Sequence, residues 1–428
     1  MTAKLDRIIK IRDPIYGFIE LDDQEREIIN SSHFQRLRRI KQLSLTDMVY
    51  PGACHTRFEH SLGVMQMVTD MFSNIIKEKA NLSLLNLKEH NVWHTRKVLR
   101  LAALLHDVGH SPFSHAGEDI MPILPENHPD FDSGSGKAQK YEHQHYSRAA
   151  IKFLFKDIIE THPLVENDRI SIDNILLLLG DETVKKPVRA LMILKELISG
   201  QVDADRADYL LRDSLHLGVD YGNYDRNMLV NCITLGKTAE SESVVLAVEE
   251  KGWHVAESMV IARYQMFSQV YFHKVRRIFD YHIGEALVDV LKSSGLKDGA
   301  FPPPTSKENL QRYFDFDDWF VYGALKDGKG GKHGRHIINR TPYRKIDEWE
   351  ESLTDDPDAR IEELANTHKN KEYHIDRNLS TKWYRLDNDF PIKCSKTGFV
   401  YPLSMKSRIV KIIGQPNITR FYVSREDL

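Results

Sequence analysis

The sequence predicts a mainly α-helical fold that begins with a short hairpin and ends in a smaller α+β lobe. From about residue 23 to residue 293, apolar residues recur at three- and four-residue intervals, which is typical of amphipathic helices. Before them, DPIYGFIEL at 13–21 combines a Pro and Gly turn with a short alternating segment, which indicates a hairpin. After them, mixed segments such as SKTGFVYPLS and ITRFYVSRED predict short strands.

The helical part has one clear interruption, and its end is marked by proline. VVLAVEEKGWHV at 244–255 has the pattern of a strand followed by a turn. SSGLKDGAFPPPTSKENL at 293–310, with three consecutive prolines, is the strongest candidate boundary. We therefore predict a helical domain at 1–295 and an α+β lobe at 296–428 that serves oligomerisation or regulation.

Composition narrows the class of protein. The chain of 428 residues is 41% hydrophobic and 28% charged, which is typical of a globular protein large enough to bury a site. With 59 basic and 62 acidic residues, it lacks the basic balance of non-specific nucleic-acid binders. Three widely spaced cysteines argue against a disulfide framework or a zinc ribbon and favour the cytoplasm. Neither a signal peptide nor a membrane span is predicted.

One segment places polar side chains at the end of an apolar run. LRLAALLHDVGHSPFSH at 99–115 is apolar up to Leu105 and then contains three histidines and an aspartate. His106 and His110 are four residues apart, so we expect them on one helix face, with Asp107 on an adjoining side. Imidazole and carboxylate groups together are typical ligands of a divalent first-row metal ion.

Two further segments bear on this interpretation. HTRFEHSLGV at 55–64 places Arg57 and His60 at the start of an amphipathic helix. SGQVDADRADYLLRD at 199–213 is rich in aspartate and arginine, and taken alone it fits a solvated helix face as well as a metal site. The order His, then His-Asp, then Asp, on three helices, favours the metal site.

Four motifs carry a resemblance to a known family. QRLRRIKQL, YPGACHTRFEHSLGV, LLHDVGHSPFSH and DADRADYLLRD resemble the HD-domain metal-dependent phosphohydrolases. Within them, the motifs are most similar to the deoxynucleoside triphosphate triphosphohydrolases, which include the bacterial dGTPases and the mammalian SAM-and-HD-domain protein. The resemblance runs from about residue 8 to residue 290 and is thin beyond residue 300. It implies an HD-domain helical core.

The resemblance implies one divalent metal ion, with Mn, Fe, Ni, Co, Zn and Mg all open, and a hydrolytic reaction. Its ligands would be His60, His106, Asp107 and Asp205. In the family, water attacks the α-phosphorus of a dNTP, the deoxynucleoside 5′-oxygen leaves, and intact triphosphate is released. His115 is the candidate general acid, because a protonated imidazole assists a poor alkoxide leaving group. The other catalytic candidates are His110, Glu118 and His143.

The resemblance also implies a set of substrate contacts. Arg57, Arg206 and Arg263 match cations that bind the phosphates. Tyr209 and Asp213 match positions that pack against the deoxyribose and bond its 3′-hydroxyl. A second group matches further nucleotide contacts and comprises Gln42, Leu43 and Tyr271. A surface ion pair is the alternative for Arg263, and a core position is the alternative for Leu43 and Tyr271.

One active-site position departs from the family pattern. Gln144, directly after His143, stands where relatives carry glutamate. A carboxylate that would tune the acid is therefore missing from this position, and we expect the rate or the substrate to differ.

A nucleotide effector site between subunits is also implied. Gln35 and Arg38 match this regulatory site, but Asn30 replaces an aspartate that reads guanine there. Lys274 and Arg344 match basic positions of the same site. We therefore expect a homo-oligomer, a tetramer built from dimers, that is activated by a nucleotide of altered base preference.

Two other classes of function remain open from the sequence. KDGKGGKHGRH at 325–336 has no Walker pattern and predicts a solvated connection, with a phosphate or nucleic-acid contact as the alternative. One competing function is an HD phosphodiesterase or nuclease that acts on another phosphoester. The other is a nucleotide-sensing regulator that binds nucleic acid through this basic segment.

Overall fold

The structure is a computed structural model that describes residues 9–134, 138–162, 170–354, 356–377, 389–414 and 417–425. It confirms the predicted fold, which is mainly helical with small sheets and an α+β C-terminal region. Residues 1–8, which were part of the argument against a signal peptide, lie outside the described residues. In the described ranges, no helix is both long enough and apolar enough to span a bilayer.

The chain begins with the predicted hairpin. Strand β1 (Ile9–Asp13) pairs antiparallel with β2 (Gly17–Leu21), and Gly17 takes a φ of 77° in the tight turn between them. Asp22 caps α1 (Asp23–Asn30), because its carboxylate accepts from the backbone N–H of Glu25 while the Glu25 carboxylate accepts from that of Asp22. The capping box fixes where the first helix begins.

Helices then dominate as the periodicity predicts. They are α2 (Ser32–Gln35), α3 (Arg57–Ile75), α4 (Lys79–Leu85), α5 (Val92–Leu105), α6 (His143–Ala150), α7 (Lys156–Thr161), α8 (Ile172–Leu178), α9 (Arg189–Leu194), α10 (Glu196–Ser199), α11 (Ala204–Leu217), α12 (Arg226–Cys232), α13 (Trp253–Met266) and α14 (Lys274–Ser293). A 3₁₀ segment at Ser114–Ile120 and a π-helical turn at Phe267–Tyr271 also contribute to the site.

The core is centred on α3, which packs against α5 and α11. Val64, Met65 and Met67 of α3 and Leu101 and Leu104 of α5 are fully buried there. Burying each such side chain contributes about 1.5–3 kcal/mol of hydrophobic stabilisation. This packing sets the first turns of α3 and α11 beside the last turn of α5, so the polar residues at these three ends face one another.

Beyond residue 293 the chain forms helices and the strands of two further sheets. The helices are α15 (Lys307–Phe314), α16 (Asp318–Lys326), α17 (Gly331–Ile338), α18 (Pro357–Thr367) and α19 (Arg408–Ile412). The strands, including two from the helical part, are β3 (Ile233–Lys237), β4 (Val244–Glu249), β5 (Arg344–Glu350), β6 (Tyr373–Arg377), β7 (Pro391–Lys393), β8 (Val400–Pro402) and β9 (Ile418–Val423). They are ordered β3-β4-β7-β8 and β5-β9-β6, and β4 is the strand predicted at 244–255.

The division at residue 296 stays a prediction, but the packing shows how closely the two parts are joined. Leu310 and Tyr313 enter the main hydrophobic core. Strand β7 pairs in parallel with β4 of the helical part. Part of the segment at 325–336, predicted as a solvated connection, is helical, since α17 begins at Gly331 and buries His333. The C-terminal residues therefore complete the helical core.

The expectation that His106 and His110 share a helix face is wrong. Helix α5 ends at Leu105, and residues 106–109 form turns. Gly109 lies against α6, where its N–H donates to Oγ of Ser147 at 2.9 Å, and a Cβ at Gly109 would overlap the Ser147 backbone nitrogen. Its carbonyl accepts from the Tyr313 hydroxyl at 2.8 Å. These tertiary hydrogen bonds replace those that would have continued the helix.

Candidate active site

Three helix ends bring the predicted metal ligands together. His60 lies in the first turn of α3, Asp205 in the first turn of α11, and His106 and Asp107 in the turn after α5. Nε2 of His60 is 3.0 Å from Oδ1 of Asp205 and 3.7 Å from Oδ2 of Asp107. Nε2 of His106 is 3.3 Å from Oδ1 of Asp107 and 3.9 Å from Oδ1 of Asp205. The four side chains share one small site.

The hydrogen bonds of the two histidines leave the same ring atom of each available to a metal ion. Nδ1 of His60 donates to Oδ2 of Asp208 at 2.8 Å, and Nδ1 of His106 donates to the carbonyl oxygen of Ala103 at 2.7 Å. With the proton on Nδ1, each Nε2 carries a lone pair. Both Nε2 atoms are buried, and neither has a hydrogen-bond partner in the described part of the chain. These residues therefore fit a divalent cation.

The electrostatics of the site favour a cation as well. Burial alone would lower the pKa of His60, but the carboxylates of Asp205 and Asp208 raise it to about 10. Burial alone would raise the pKa of Asp205, but its interaction with His60 holds it below the usual value. The carboxylates thus favour a positive charge at this point, which a divalent ion bound to Nε2 in place of a proton would supply.

Asp107 is shared between the metal group and an arginine. Ligand atoms of His60, His106 and Asp205 lie within 4.8 Å of one another, and Asp107 stands beside that set. Oδ2 of Asp107 accepts from NH1 of Arg57, whose Nε donates to Oγ of Ser114 at 2.8 Å. Arg57, predicted to bind phosphates, is therefore held by protein groups on both sides, and its role toward substrate stays a prediction.

A second group of imidazoles lies next to the metal group. The rings of His110 and His143 stack with centroids 3.8 Å apart, and Nε2 of His110 is 3.5 Å from Oδ1 of Asp107. Glu118 accepts from Nδ1 of His115 at 2.9 Å and from Nδ1 of His143 at 2.5 Å. The four predicted catalytic residues are therefore brought together, with one carboxylate between two imidazoles.

Burial and charge give these imidazoles different proton affinities. Burial, together with the charges of Arg57 and His143, holds the pKa of His110 well below its usual range. Burial also opposes protonation of His143, but Glu118 outweighs it and raises the His143 pKa. The side chain of His115 is 62% exposed, so of the three it is the most accessible to a substrate. The group thus combines an imidazole of lowered pKa, one of raised pKa and one that is accessible.

The backbone before His115 is strained. Phe113 and Ser114 have φ values of 59° and 56°, in the left-handed region that costs a non-glycine residue about 1–3 kcal/mol. The N–H of Phe113 donates to Oδ1 of Asp318 at 2.7 Å, and the Ser114 hydroxyl donates to the Lys41 carbonyl oxygen at 2.7 Å. Residues distant in sequence therefore hold the segment that carries His115.

The predicted sugar-binding residues form a buried cluster. Oδ2 of Asp213 accepts from the Tyr271 hydroxyl at 2.6 Å, and Oδ1 lies 2.8 Å from Nε2 of His55. The rings of Tyr209 and Tyr271 are 6.2 Å apart in an edge-on arrangement. Sequence reasoning did not identify His55, although its motif was recognised, because its partner Asp213 is 158 positions away.

The other predicted substrate residues are more mixed. Arg263 is buried, so the alternative interpretation of this residue as part of a surface ion pair is disfavoured. Its Nε has no hydrogen-bond partner among the described residues. Arg206 is bound to the Asp203 carboxylate and to the Gly200 carbonyl oxygen. Gln42 is buried, and its Oε1 is unpaired in the described ranges. Leu43 packs in the hydrophobic core, as its alternative interpretation has it.

The residues of the predicted effector site lie in two separate places. Arg38 donates to Oε1 of Gln35 at 2.9 Å, and Asn30 is exposed at the end of α1. Lys274 and Arg344 are exposed at the start of α14 and β5. No hydrogen bond or ion pair within the described residues joins the two places.

A different histidine group lacks the properties of a metal site. His128, Asp130 and His145 also lie close together. However, Nδ1 of His128 accepts from the backbone N–H of Asp130, and Nδ1 of His145 accepts from that of Glu142. The neutral rings therefore carry their protons on Nε2, which leaves no lone pair there. The tautomers distinguish this group from His60 and His106.

Comparison with family models agrees with this geometry. A family model of the HD domain matches residues 57–213, and a model of the HD-associated region matches residues 225–353. The first range contains all the predicted metal ligands and catalytic residues. The second contains α15 and α16, which lie against the active-site loop.

Curated relatives include both uncharacterized proteins and named enzymes. An uncharacterized protein of Methanocaldococcus jannaschii is 37% identical over 287 residues, which are 67% of this chain and 51% of that protein. A protein of Dictyostelium discoideum, named as a homolog of the deoxynucleoside triphosphate triphosphohydrolase SAMHD1, is 29% identical over 344 residues, 79% of this chain and 60% of its own length. The chain spans about half the length of the first relatives that it matches.

Solved structures extend the similarity to the whole chain. The crystal structure of a hypothetical protein from Aquifex aeolicus superposes with a TM-score of 0.73 at 27% identity, covering 98% of this chain and 97% of the other. The similarity therefore includes the C-terminal region, where the motif resemblance is thin. The chain is an HD-domain protein, in which an HD domain is followed by an HD-associated region and whose homologues include deoxynucleoside triphosphate triphosphohydrolases.

Proposed function

We propose that this protein hydrolyses deoxynucleoside triphosphates to a deoxynucleoside and inorganic triphosphate with the help of one divalent metal ion. One observation carries the proposal. The Nε2 atoms of His60 and His106 are buried, have no hydrogen-bond partner among the described residues, and face Asp205. The imidazoles joined by Glu118 lie directly beside them. A metal position and a proton donor thus lie side by side, as hydrolysis of a phosphoester requires. Similarity to enzymes named for this reaction supports the choice of substrate.

The metal ligands proposed are His60, His106, Asp107 and Asp205. A divalent ion bound there would polarise the α-phosphate and lower the pKa of a water molecule. The chain's own contribution is to hold each imidazole in one tautomer through Asp208 and Ala103. This fixes the lone pairs before the ion binds, so less freedom is lost on binding.

Proton transfer to the leaving 5′-oxygen is the role proposed for His115. Glu118 accepts from Nδ1 of His115, so the opposite ring nitrogen is the one directed away from this carboxylate. Glu118 also binds His143, whose raised pKa supplies a second proton near the same place. The buried, neutral His110 completes the group and would position water or the α-phosphate.

Selection of a deoxyribonucleotide is assigned to the cluster around Asp213. Its carboxylate is held by Tyr271 and His55, which places an acceptor for the 3′-hydroxyl at a fixed position. Tyr209 lies against Tyr271, and a ring in this position would exclude a 2′-hydroxyl sterically. Arg206 and Arg263 supply positive charge for the phosphates, and the unpaired, buried Nε of Arg263 is consistent with that role.

The test is a substrate panel. The protein is incubated with Mn²⁺ and each of the four dNTPs, the four NTPs or single-stranded DNA, and the products are resolved by anion exchange. We expect inorganic triphosphate from dNTPs and little or none from NTPs. Nucleotide products from DNA, without triphosphate, would instead identify the alternative, a phosphodiesterase or nuclease. Binding of a nucleotide with no product would identify the alternative of a sensor.

The proposal includes a homotetramer that a nucleotide activates. The exposed positions of Arg38, Lys274 and Arg344, with Gln35 bonded to Arg38, support a shared site between subunits. A ligand that binds only the assembled form stabilises that form, so mass and rate should rise together. Light scattering and rates measured with one dNTP, while each other nucleotide is added, test this. A monomer with hyperbolic kinetics throughout would contradict the assembly but not the active site.

A further inference from the structure

A chain of four buried side chains links the N-terminal hairpin to the candidate metal site. Nδ1 of His60 donates to Oδ2 of Asp208 at 2.8 Å. Arg212 donates to both oxygens of Asp208, each at 2.9 Å. NH1 of Arg212 then donates to Oδ2 of Asp13 at 3.0 Å. The side chains of all four residues are at most 4% exposed, so solvent does not weaken these interactions.

Asp13, the last of the four linked side chains, is part of the turn of the hairpin. Asp13 is the last residue of β1, and its Oδ1 accepts from the backbone N–H groups of Ile15 at 2.8 Å and Tyr16 at 3.0 Å. One oxygen of Asp13 therefore shapes the turn while the other holds Arg212. A change in the position of the hairpin is transmitted directly to the arginine.

Helix α3 confines the ion pair of Asp208 and Arg212, in the middle of the four linked side chains, from the opposite side. A Cβ at Gly63 would overlap the Asp208 carboxylate and the Arg212 guanidinium. Gly63 lies three residues after His60, on the same side of the helix. Only glycine at this position leaves room for the ion pair behind the metal ligand.

The charges are arranged so that His60 keeps its proton on Nδ1. Burial alone would raise the pKa of Asp208, but Arg212 and His60 hold it well below the usual range. Burial likewise opposes the charge of Arg212, and the carboxylates of Asp208 and Asp13 raise its pKa. Asp208 thus remains an ionised acceptor between His60 and Arg212, and Asp13 contacts the same arginine.

We infer that Asp13, Arg212 and Asp208 are positioning residues of the metal site, through which the N-terminal hairpin sets the orientation of His60. This inference rests on the proposed ligand set. It adds to the site Asp13, which lies 47 positions before the ligand His60 in the sequence. Outer partners of metal-bound histidines typically change metal affinity by about 10–100-fold when they are removed. The hairpin is therefore part of the apparatus that binds the metal.

The experiment measures binding of Co²⁺ alone to the full-length, metal-free protein, by competition with a chromophoric chelator and by the d–d absorption of the bound ion. We expect D208N to weaken Co²⁺ binding by about 10–100-fold and D13N by a smaller factor, about 3–10-fold. R212K keeps the charge but loses the two-armed contact, and it should also weaken binding. E20Q is the matched control, because Glu20 is on the same hairpin but is exposed and paired with Lys10.

Folding and failure are separated in the same set of measurements. Circular dichroism and the Tm of each metal-free variant show whether it folds, and affinities are compared among folded variants. If D13N and R212K both bind Co²⁺ as tightly as E20Q, with an unchanged d–d spectrum, the inference is overturned. D205A distinguishes the other failure: if it binds Co²⁺ as the unaltered protein does, the proposed ligand set is wrong, whatever D13N does.

Discussion

The two halves of the candidate active site are built differently. In the metal half, His60 and Asp205 are in the first turns of the regular helices α3 and α11, His106 and Asp107 follow directly on α5, and His60 is fully buried. The proton-transfer half lies on a 3₁₀ segment that follows two left-handed residues, and His115 there is 62% exposed. A metal ion needs ligands that are in place before it binds, whereas a proton donor must reach a leaving group.

The two halves also depend on different parts of the chain. In the metal half, His60 is held by Asp208, and Asp208 is linked through Arg212 to Asp13 of the hairpin. The loop of the proton-transfer half is held by the HD-associated region, because Asp318 accepts from Phe113 and Tyr313 donates to Gly109. Arg36 adds a third link, since it donates to the carbonyl oxygens of Phe316 and His110, each at 2.8 Å. Residues of the HD-associated region therefore hold the loop that carries His115.

The largest effect is expected from a change in the metal half. D205A removes the carboxylate that faces both Nε2 atoms, so the protein should lose bound metal and all measurable hydrolysis of dNTPs. Elemental analysis of the purified variant and a triphosphate-release assay check this. Full metal occupancy in D205A would show that the ligand assignment is wrong and that the metal does not bind in the half of the site that contains Asp205.

A change in the proton-transfer half should spare the metal. H115A is expected to lose about 10²–10⁴-fold in kcat, the usual contribution of positioned proton transfer, while its metal content stays that of the unaltered protein. Steady-state kinetics with elemental analysis measure both quantities. A loss of less than tenfold would move the acid role to His110 or His143, which stack beside it.

A change in the HD-associated region should affect only the loop. Asp318 accepts from the N–H groups of Phe113 at 2.7 Å and Lys41 at 2.8 Å, and burial raises its pKa to about 7 against these bonds. D318N leaves one N–H facing an amide donor, at a cost of about 1–3 kcal/mol.

If about 1.4 kcal/mol of that cost falls on the conformation of the loop that carries His115, kcat decreases about tenfold. Metal affinity should remain within about twofold, and the exposed Asp315 provides the control variant D315N. A fall in metal affinity as large as the fall in kcat would show that the two halves are not separately supported.

The smallest effect concerns the departure at Gln144. Its side chain is exposed, and the carboxylate that contacts His143 comes from Glu118 instead. Q144E should therefore change kcat by less than about threefold, whereas E118Q, which removes the negative charge and leaves one acceptor oxygen for the two imidazoles of His115 and His143, should lower it about 10–100-fold. Steady-state rates of both variants at one pH make the comparison. If Q144E and E118Q changed kcat by equal factors, residue 144 would be the one that tunes the acid.

Several features could be predicted from the sequence because their causes are local. The hairpin at 13–21 follows from its Pro and Gly turn, and the helices follow from apolar periodicity. His115 and Glu118 are three residues apart, and their hydrogen bond forms as that spacing predicts. The prediction that His106 and His110 share a helix face was wrong, because tertiary hydrogen bonds of Gly109 end α5 at Leu105.

Residue types and motif order were enough to name candidate metal ligands, proton donors and nucleotide contacts, because that information lies in the sequence itself. Which atoms of these residues face the site depends instead on the tertiary fold. The tautomer of His60 depends on Asp208, 148 positions away, and the hold on Arg212 depends on Asp13, 199 positions away. Such pairs form when distant segments pack, and no local periodicity encodes the hydrogen bond between them.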